Sequence, residues 1–391
     1  MPRPDPSARL LAEVDARAFL DPAALADGVV RALSSRPFDD DPVRILDSFR
    51  VASELGFQMD PGTLDLFRGR RGLLAGPAPS KRTRDAFLEL LAGRHSPSVL
   101  ALMDECRVLT TVVPELEPGR RCAVEYYGQG GVMAHTLAAL DRAGFLLESL
   151  PRAFPGLEGR IRETLDSSRR QRSLFIMTVL LHDIAKPATA RRMKGRLRFF
   201  GHDAKGAAAA AVVMKRFKFA KPEIALAAGV IRLHLRPGNL AASGRVTDRA
   251  ARRFFRDAGE AAGALLLAAW ADHASYLSED KLRERLPLIG TWARAGGDCE
   301  TAFPAPAGMD EDTSKTLRHL WTVSVLLVRH FRRPTPALKR LVDGDDVMKA
   351  LGLAPGKEVG RVLAKLANAQ AKGRFTDRAG ALSFLTRLSS K

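Results

Sequence analysis

The chain runs to 391 residues, 46% of them hydrophobic and 6% aromatic, with a formal net charge of +18 at pH 7. That length suits two or three domains with real cores, and no uninterrupted apolar run is long enough to cross a bilayer, which excludes a membrane-spanning helix. Cys106, Cys122 and Cys299 form no CxxC pair and exclude a disulfide framework.

Alanine, leucine and arginine dominate while β-branched and aromatic residues are sparse, so an all-α, multi-domain helical fold is expected. Residues Ala8 to Ser34 read as a short helix-rich lead-in. Pro37 to Asp41 reads as an acidic turn, and Pro42 opens a helix through Ile45, Leu46, Phe49, Ala52 and Leu55 that stops at Gly56. Met59-Asp60-Pro61 starts another helix and Arg68 to Arg71 reads as a basic turn. Ser80 and Ser96 cap two further helices. Val113 to Gly119 reads as a loop and a boundary. From about Tyr126 to Leu288 the helical patterns carry most of the histidines, interrupted by one extended piece, Gly195 to Gly201. Gly128 to Gly131 has no strand before it and no P-loop lysine, so it reads as a turn. Phe303 to Gly308 is a second linker, and the chain is helical again from about Leu317. Trp270, Trp292 and Trp321 lie in apolar helices and belong to cores. The N-terminus, Met1-Pro2-Arg3-Pro4-Asp5, has no signal-peptide pattern, and with the unpaired thiols it implies a cytoplasmic location.

The stretch Leu180-Leu181-His182-Asp183-Ile184-Ala185-Lys186-Pro187 sets a His-Asp pair at the end of an apolar run. A charge beside an imidazole in a buried helix needs compensation, usually a metal ion. His135 lies upstream, and His202, His234 and Asp272 downstream, each near a helix end or a turn. Imidazole with carboxylate suits divalent Mn, Fe, Ni, Co or Zn more than Ca or Mg alone. One ion would take His135, His182, Asp183 and Asp272. A second would take His202 and His234, with Asp183 able to bridge the two. Lys186, one turn after His182, is placed to meet a phosphate or an inner carboxylate.

These residues resemble the HD superfamily of metal-dependent phosphohydrolases. They resemble most closely the HD domain inside bacterial CCA-adding enzymes and poly(A) polymerases, the tRNA nucleotidyltransferases. The matching segments are His135-Thr136-Leu137, Leu181 to Pro187, Phe199 to Ala207 and His234-Leu235-Arg236-Pro237. The flanks are similar too. Phe38-Asp39-Asp40-Asp41-Pro42-Val43-Arg44-Ile45-Leu46 resembles the family's neck motif, with Asp40 in place of its Glu and Asp47 where an Arg usually follows. Ser80-Lys81-Arg82 resembles the start of a body helix. Leu341 to Met348, Pro355-Gly356, Gly360, Gln370, Gly373 and Ala381 resemble the tail.

The resemblance implies that Asp41 and Arg44 hydrogen-bond an incoming nucleotide base. It implies one or two divalent ions (Mn, Ni, Co, Fe, Mg or Zn) on the His/Asp set, with Asp183 and Lys186 as catalytic residues. It divides the chain into a remnant of the nucleotidyltransferase head (1–35), a neck and body (36–120), an HD-type metal domain (121–300) and a helical tail (301–391). The family's head carries a paired Asp-x-Asp for magnesium. Phe19 to Asp27 resembles only the head's last lines, so nucleotide addition by this chain alone is not expected.

The cationic excess points to a polyanion, with nucleic acid ahead of a membrane surface. Basic clusters at 68–72, 81–84, 169–172, 252–253 and 329–333 suit a phosphate-tracking surface, and few aromatics interleave them, which favours shape recognition of folded RNA such as tRNA. The leading expectation is a metal-dependent phosphohydrolase acting on nucleotides or RNA ends. The alternative is the RNA-binding part of a split tRNA nucleotidyltransferase whose catalytic head is a separate protein.

Overall fold

The structure, a computed structural model, describes residues 6–76, 78–295, 303–304, 308, 310–332, 341–371, 375 and 377–389. It is all-α and multi-helical, with two short two-stranded pieces among the described residues. The elements that position the sites are, in chain order, β1 (Val29–Val30), α1 (Val43–Leu55), β2 (Gln58–Met59), α2 (Lys81–Ala92), α3 (Gly131–Ala153) and α4 (Arg169–Leu181). They continue with β3 (Arg191–Met193), β4 (Arg196–Arg198), α5 (His202–Arg216), α6 (Lys221–Leu233), α7 (Ala262–Ala274) and α8 (Glu311–Phe331). β1 and β2 pair in parallel, and β3 and β4 pair antiparallel.

Pro42 precedes α1 and Gly56 ends it at φ 73°, a left-handed conformation that favours glycine. Between them Ile45, Leu46, Phe49 and Ala52 are buried, but so are Asp47, Ser48, Arg50 and Ser53. Helix α1 is therefore enclosed nearly all round, with α2 close on one side. Ser53 Oγ donates to Leu90 O at 2.7 Å, and a Cβ on Gly93 would sit 2.0 Å from that Oγ. Only glycine at 93 lets the chain leave α2 so near α1.

Helix α4 is buried from Arg172 to Leu181, and from Leu174 onward it is apolar on nearly every face, as a central helix must be. Ser168 caps it by accepting from Gln171 N. Helix α3 begins at Gly130 and Gly131, both with positive φ, and a Cβ on Gly131 would meet Cys122 O at 2.2 Å. The turn at 128–131 thus sets the start of the helix that carries His135. Trp270, Trp292 and Trp321 are buried, as the sequence leads one to expect.

Three local readings are corrected. Pro37 to Asp40 lies in a short helix, Arg36–Asp40, where buried Phe38 packs edge-on against Phe19 and Phe67. The arginines from 68 to 71 close one helix, Pro61–Arg70, and open a 3-10 turn. The expected loop at 113–119 is mostly 3-10 helix, Pro114–Arg121, tied to α5 by the bidentate Glu115–Arg216 pair.

The chain separates into two compact units, Met1–Phe331 and Arg332–Lys391. One core runs through the first, from Leu10 to Phe331. Helix α8, which the sequence reading puts in the tail, packs on α7 inside that core. The second unit holds three helices, Gly344–Leu351, Lys357–Ala371 and Arg378–Ser389, around Val347, Leu366 and Leu385. Cys299, Arg333, Gly373 and much of the linker at 303–308 lie outside the described residues. Among the described residues, no helix is long and apolar enough to cross a membrane.

Candidate metal centre and nucleotide pocket

Five helix ends and turns deliver the His/Asp set to one place. His135 projects from the first turns of α3. His182 caps the C-terminus of α4, and Asp183 follows it. His202 opens α5, His234 caps α6, and Asp272 lies in the last turn of α7. The six residues form two groups, His135/His182/Asp272 and Asp183/His202/His234, with the ligand atoms of each group within 4.8 Å of one another. Asp183 stands between the groups. Its Oδ2 is 3.4 Å from His135 Nε2 and 3.2 Å from His182 Nε2, while its Oδ1 is 3.6 Å from His202 Nε2 and 3.7 Å from His234 Nε2. His135 Nε2 is also 3.0 Å from Asp272 Oδ1.

The hydrogen bonds around the rings say what the pocket is made to hold. His182 Nδ1 donates to Val179 O (2.7 Å), His202 Nδ1 to Phe199 O (2.6 Å) and His234 Nδ1 to Ile231 O (2.6 Å). Ser275 Oγ donates to Asp272 O, so it accepts from His135 Nδ1 at 3.2 Å. With every Nδ1 committed as a donor, the Nε2 atoms face the pocket, where each can serve as a lone-pair ligand once it carries no proton, the arrangement that outer partners impose on metal-bound histidines. Nε2 of His135 and His182 and Oδ1 of Asp183 are buried without a hydrogen-bond partner. His202 Nε2 and His234 Nε2 face each other at 3.2 Å. Two lone pairs at that distance repel unless a proton or a cation lies between them. The donor set fits divalent transition ions.

Charge in the pocket is balanced around Asp183. Burial alone would lower the His182 pKa, but Asp183 outweighs it and raises the value to about 9. Burial holds His234 down to about 4, so this ring is neutral. Burial would raise the Asp183 carboxyl, but His182 and Lys186 hold it well below the usual carboxylate range. Lys186 Nζ lies 2.5 Å from Asp183 Oδ2 and 2.7 Å from Tyr127 Oη. Of the two partners expected for Lys186, the structure shows the inner carboxylate. Tyr127 stacks on His135, with ring centroids 4.7 Å apart. Tyr127 and Ser275 are residues of this centre that no spacing rule in the sequence points to.

A second pocket lies in the region of the neck motif, lined by Asp41, Arg44, Asp47, Arg50, Lys81 and Arg82 among others, with a volume of about 720 Å³. Asp41 Oδ1 accepts from Val43 N, so Asp41 also serves the start of α1. Arg44 Nε is 3.7 Å from Asp41 Oδ2, and its guanidinium rests over the Phe19 ring at 5.3 Å. Arg82 joins the pair: it donates to Asp41 Oδ2 and, at 3.1 Å, to buried Asp47 Oδ2. Burial raises the Asp47 carboxyl even with Arg82 beside it. The sequence shows Arg82 at a helix start, but only the crossing of α1 and α2 brings it to Asp41.

The chain is 28% identical over 358 residues to the CC-adding tRNA nucleotidyltransferase of Thermus thermophilus, covering 88% of this chain and 66% of that protein. It is 27% identical over 395 residues to the A-adding tRNA nucleotidyltransferase of Deinococcus radiodurans, covering 98% of this chain and 78% of that one. A bifunctional uridylyltransferase/uridylyl-removing enzyme of Novosphingobium aromaticivorans is 28% identical over 224 residues, 56% of this chain and 23% of that protein. No protein-family model matches the chain. The chain is thus homologous to tRNA nucleotidyltransferases, and it spans about two thirds of the length of the first of these relatives. The expectation of a phosphohydrolase is overturned by these relatives, which are transferases. The physical reason is plain: imidazoles and carboxylates that can hold a cation do not by themselves choose a reaction.

Proposed function

We propose that this chain is the tRNA-gripping, nucleotide-positioning portion of a tRNA nucleotidyltransferase-type enzyme, acting in tRNA 3′-end processing. The observation that carries the reading is sequence similarity along nearly the whole chain to a CC-adding and an A-adding tRNA nucleotidyltransferase. Residues 36–120 would supply the neck and body, and Asp41 and Arg44, braced by Arg82, would read the edge of the incoming base. Residues 121–300 would form the metal domain, and the helical tail would add RNA contacts. Transfer chemistry belongs to a catalytic head, on the same polypeptide or another.

The His/Asp centre would hold one or two divalent ions, with His135, His182 and Asp272 on one side, His202 and His234 on the other, and Asp183 between. Such an ion supplies a fixed positive charge that can hold a phosphate oxygen. Lys186 keeps Asp183 ionised, and the backbone carbonyls keep the rings aimed inward. A net charge of +18 fits a polyanionic partner.

Fluorescence anisotropy tests this reading with a tRNA transcript that lacks its 3′-terminal CCA and an unstructured RNA of equal length. The tRNA should bind at least about tenfold tighter at fixed salt, a modest specificity ratio for a shape-reading protein. Equal affinities, or no binding of either RNA, would contradict it.

A further inference from the structure

The basic clusters that stand out in the sequence are largely spent on carboxylates. Arg70 is held by Asp39, Arg82 by Asp41 and Asp47, Arg169 by Glu54 and Glu89, Arg170 by Glu223 and Arg329 by Asp248. An arginine already paired exchanges one anion for another when it meets a phosphate, so its net gain is small. The hairpin β3–β4 is different. Arg191, Lys194, Arg196 and Arg198 are all exposed, and none makes an ion pair among the described residues.

The register shows why they share a face. Arg191 lies opposite Arg198, Arg192 opposite Leu197, and Met193 opposite Arg196. Side chains alternate across a strand, so Arg192 and Leu197 belong to one face and Arg191, Met193, Arg196 and Arg198 to the other. The first face is anchored. Arg192 pairs with Glu125, and Leu197 N donates to Tyr126 Oη at 3.2 Å. The second is left to solvent. Lys194 and Gly195, both at positive φ, make the tight turn at its tip. Two arginines directly opposite each other repel and destabilise a hairpin, so this pairing is no gain for the fold and becomes favourable when an anion lies across it.

The hairpin also leads straight into the metal centre. Phe199 O accepts from His202 Nδ1, and the Phe199 ring lies 5.7 Å from Lys186 Nζ. Phe200 between them is 69% exposed, a free ring face beside the cations on which a base can stack.

We propose that β3–β4 is a phosphate-gripping flap that lays an RNA strand along the mouth of the His/Asp centre, with Arg191, Arg196 and Arg198 on successive phosphates. The proposal rests on the tRNA-binding reading above and adds the surface that does the gripping. The tRNA-binding reading on which the proposal rests makes RNA, rather than a lipid headgroup layer, the source of those phosphates.

The test is tRNA affinity across a salt series for the full chain and its Arg191→Ala/Arg196→Ala/Arg198→Ala variant. Helicity, thermal midpoint and metal content are measured alongside, since these exposed side chains support none of them. The variant should bind about tenfold or more weakly at low salt, with the slope of log affinity against log salt shallower by about 2–3. The triple Arg→Lys variant should restore most of the slope, because it returns the charges. An unchanged affinity and slope in a folded triple-Ala variant would overturn the flap while leaving tRNA binding by the wild type intact. Absence of tRNA binding by the wild type would overturn both readings. A variant that loses only binding to phosphatidylserine vesicles would also overturn the flap and assign the hairpin to a membrane.

Discussion

Asp183→Asn should empty the His/Asp centre. Both oxygens of Asp183 face ligand groups, Oδ2 toward His135 and His182 and Oδ1 toward His202 and His234, so one substitution removes the charge shared by both. Loss of a hydrogen-bond partner one layer out costs roughly 10–100-fold in metal affinity, and loss of a bridging ligand should cost more. Metal analysis after dialysis against excess Mn2+ reads this directly: one or two ions per wild-type chain and none in the variant. His182→Ala and His234→Ala should each spare the opposite group.

The pH dependence has a defined sign. Asp183 keeps a proton on His182 up to about pH 9 in the metal-free centre, and that proton must leave before Nε2 can bind. Apparent affinity should therefore rise with pH through neutrality and fall in acid. Asp183→Asn also leaves the Lys186 ammonium, itself buried, without its carboxylate. Breaking such a pair by removing one partner costs roughly 3–5 kcal/mol. The double variant Asp183→Asn/Lys186→Met removes that charge, so loss of metal can be separated from loss of fold. A wild-type chain that takes up no divalent ion at any pH would end the metal assignment.

The second large effect is expected in the neck pocket. Among the described residues the Arg44 side chain makes a distant ion pair with Asp41 and lies over the Phe19 ring, which leaves its terminal nitrogens available to a base edge. Arg44→Ala should weaken binding of ATP or CTP by roughly 10–100-fold, the worth of one or two hydrogen bonds from a charged donor, about 1.5–3 kcal/mol. Arg82→Ala should have a similar effect by a different route. It frees Asp41 to turn and leaves buried Asp47 without its cation. Isothermal titration in the presence of tRNA checks both. Wild-type nucleotide affinity in both variants would reduce Asp41 and Arg44 to a helix cap and its neighbour.

The convergence of the six His and Asp side chains was legible in the sequence because each stands at a locally marked helix end. His135, His182, Asp183, His202, His234 and Asp272 each sit at a helix end or within a turn of one, and each end is marked by local signals such as the Gly130-Gly131 turn, the Ser168 cap and the apolar run before His182. The partners that aim those side chains were not legible. Tyr127, Ser275 and the carbonyls of Val179, Phe199 and Ile231 matter through tertiary placement, and no periodicity encodes it. Arg82 is the same case at the neck. Charge was the most misleading signal. A count of arginines cannot show that Arg169 and Arg170 are neutralised from distant helices while Arg191, Arg196 and Arg198 make no ion pair among the described residues. The tail boundary expected at 301 missed helix α8 because a linker in sequence need not separate packed units. The reaction was misread because a cation site and its chemistry are separate properties.

A hydroxyl-radical footprint of this chain on tRNA tests directly whether it acts at the tRNA 3′ end. Protection should concentrate on the acceptor stem and the 3′ end, and part of it should be lost in the hairpin variant. Protection confined to the anticodon arm, or a tRNA cleaved as freely with the chain as without it, would contradict a role at the tRNA 3′ end.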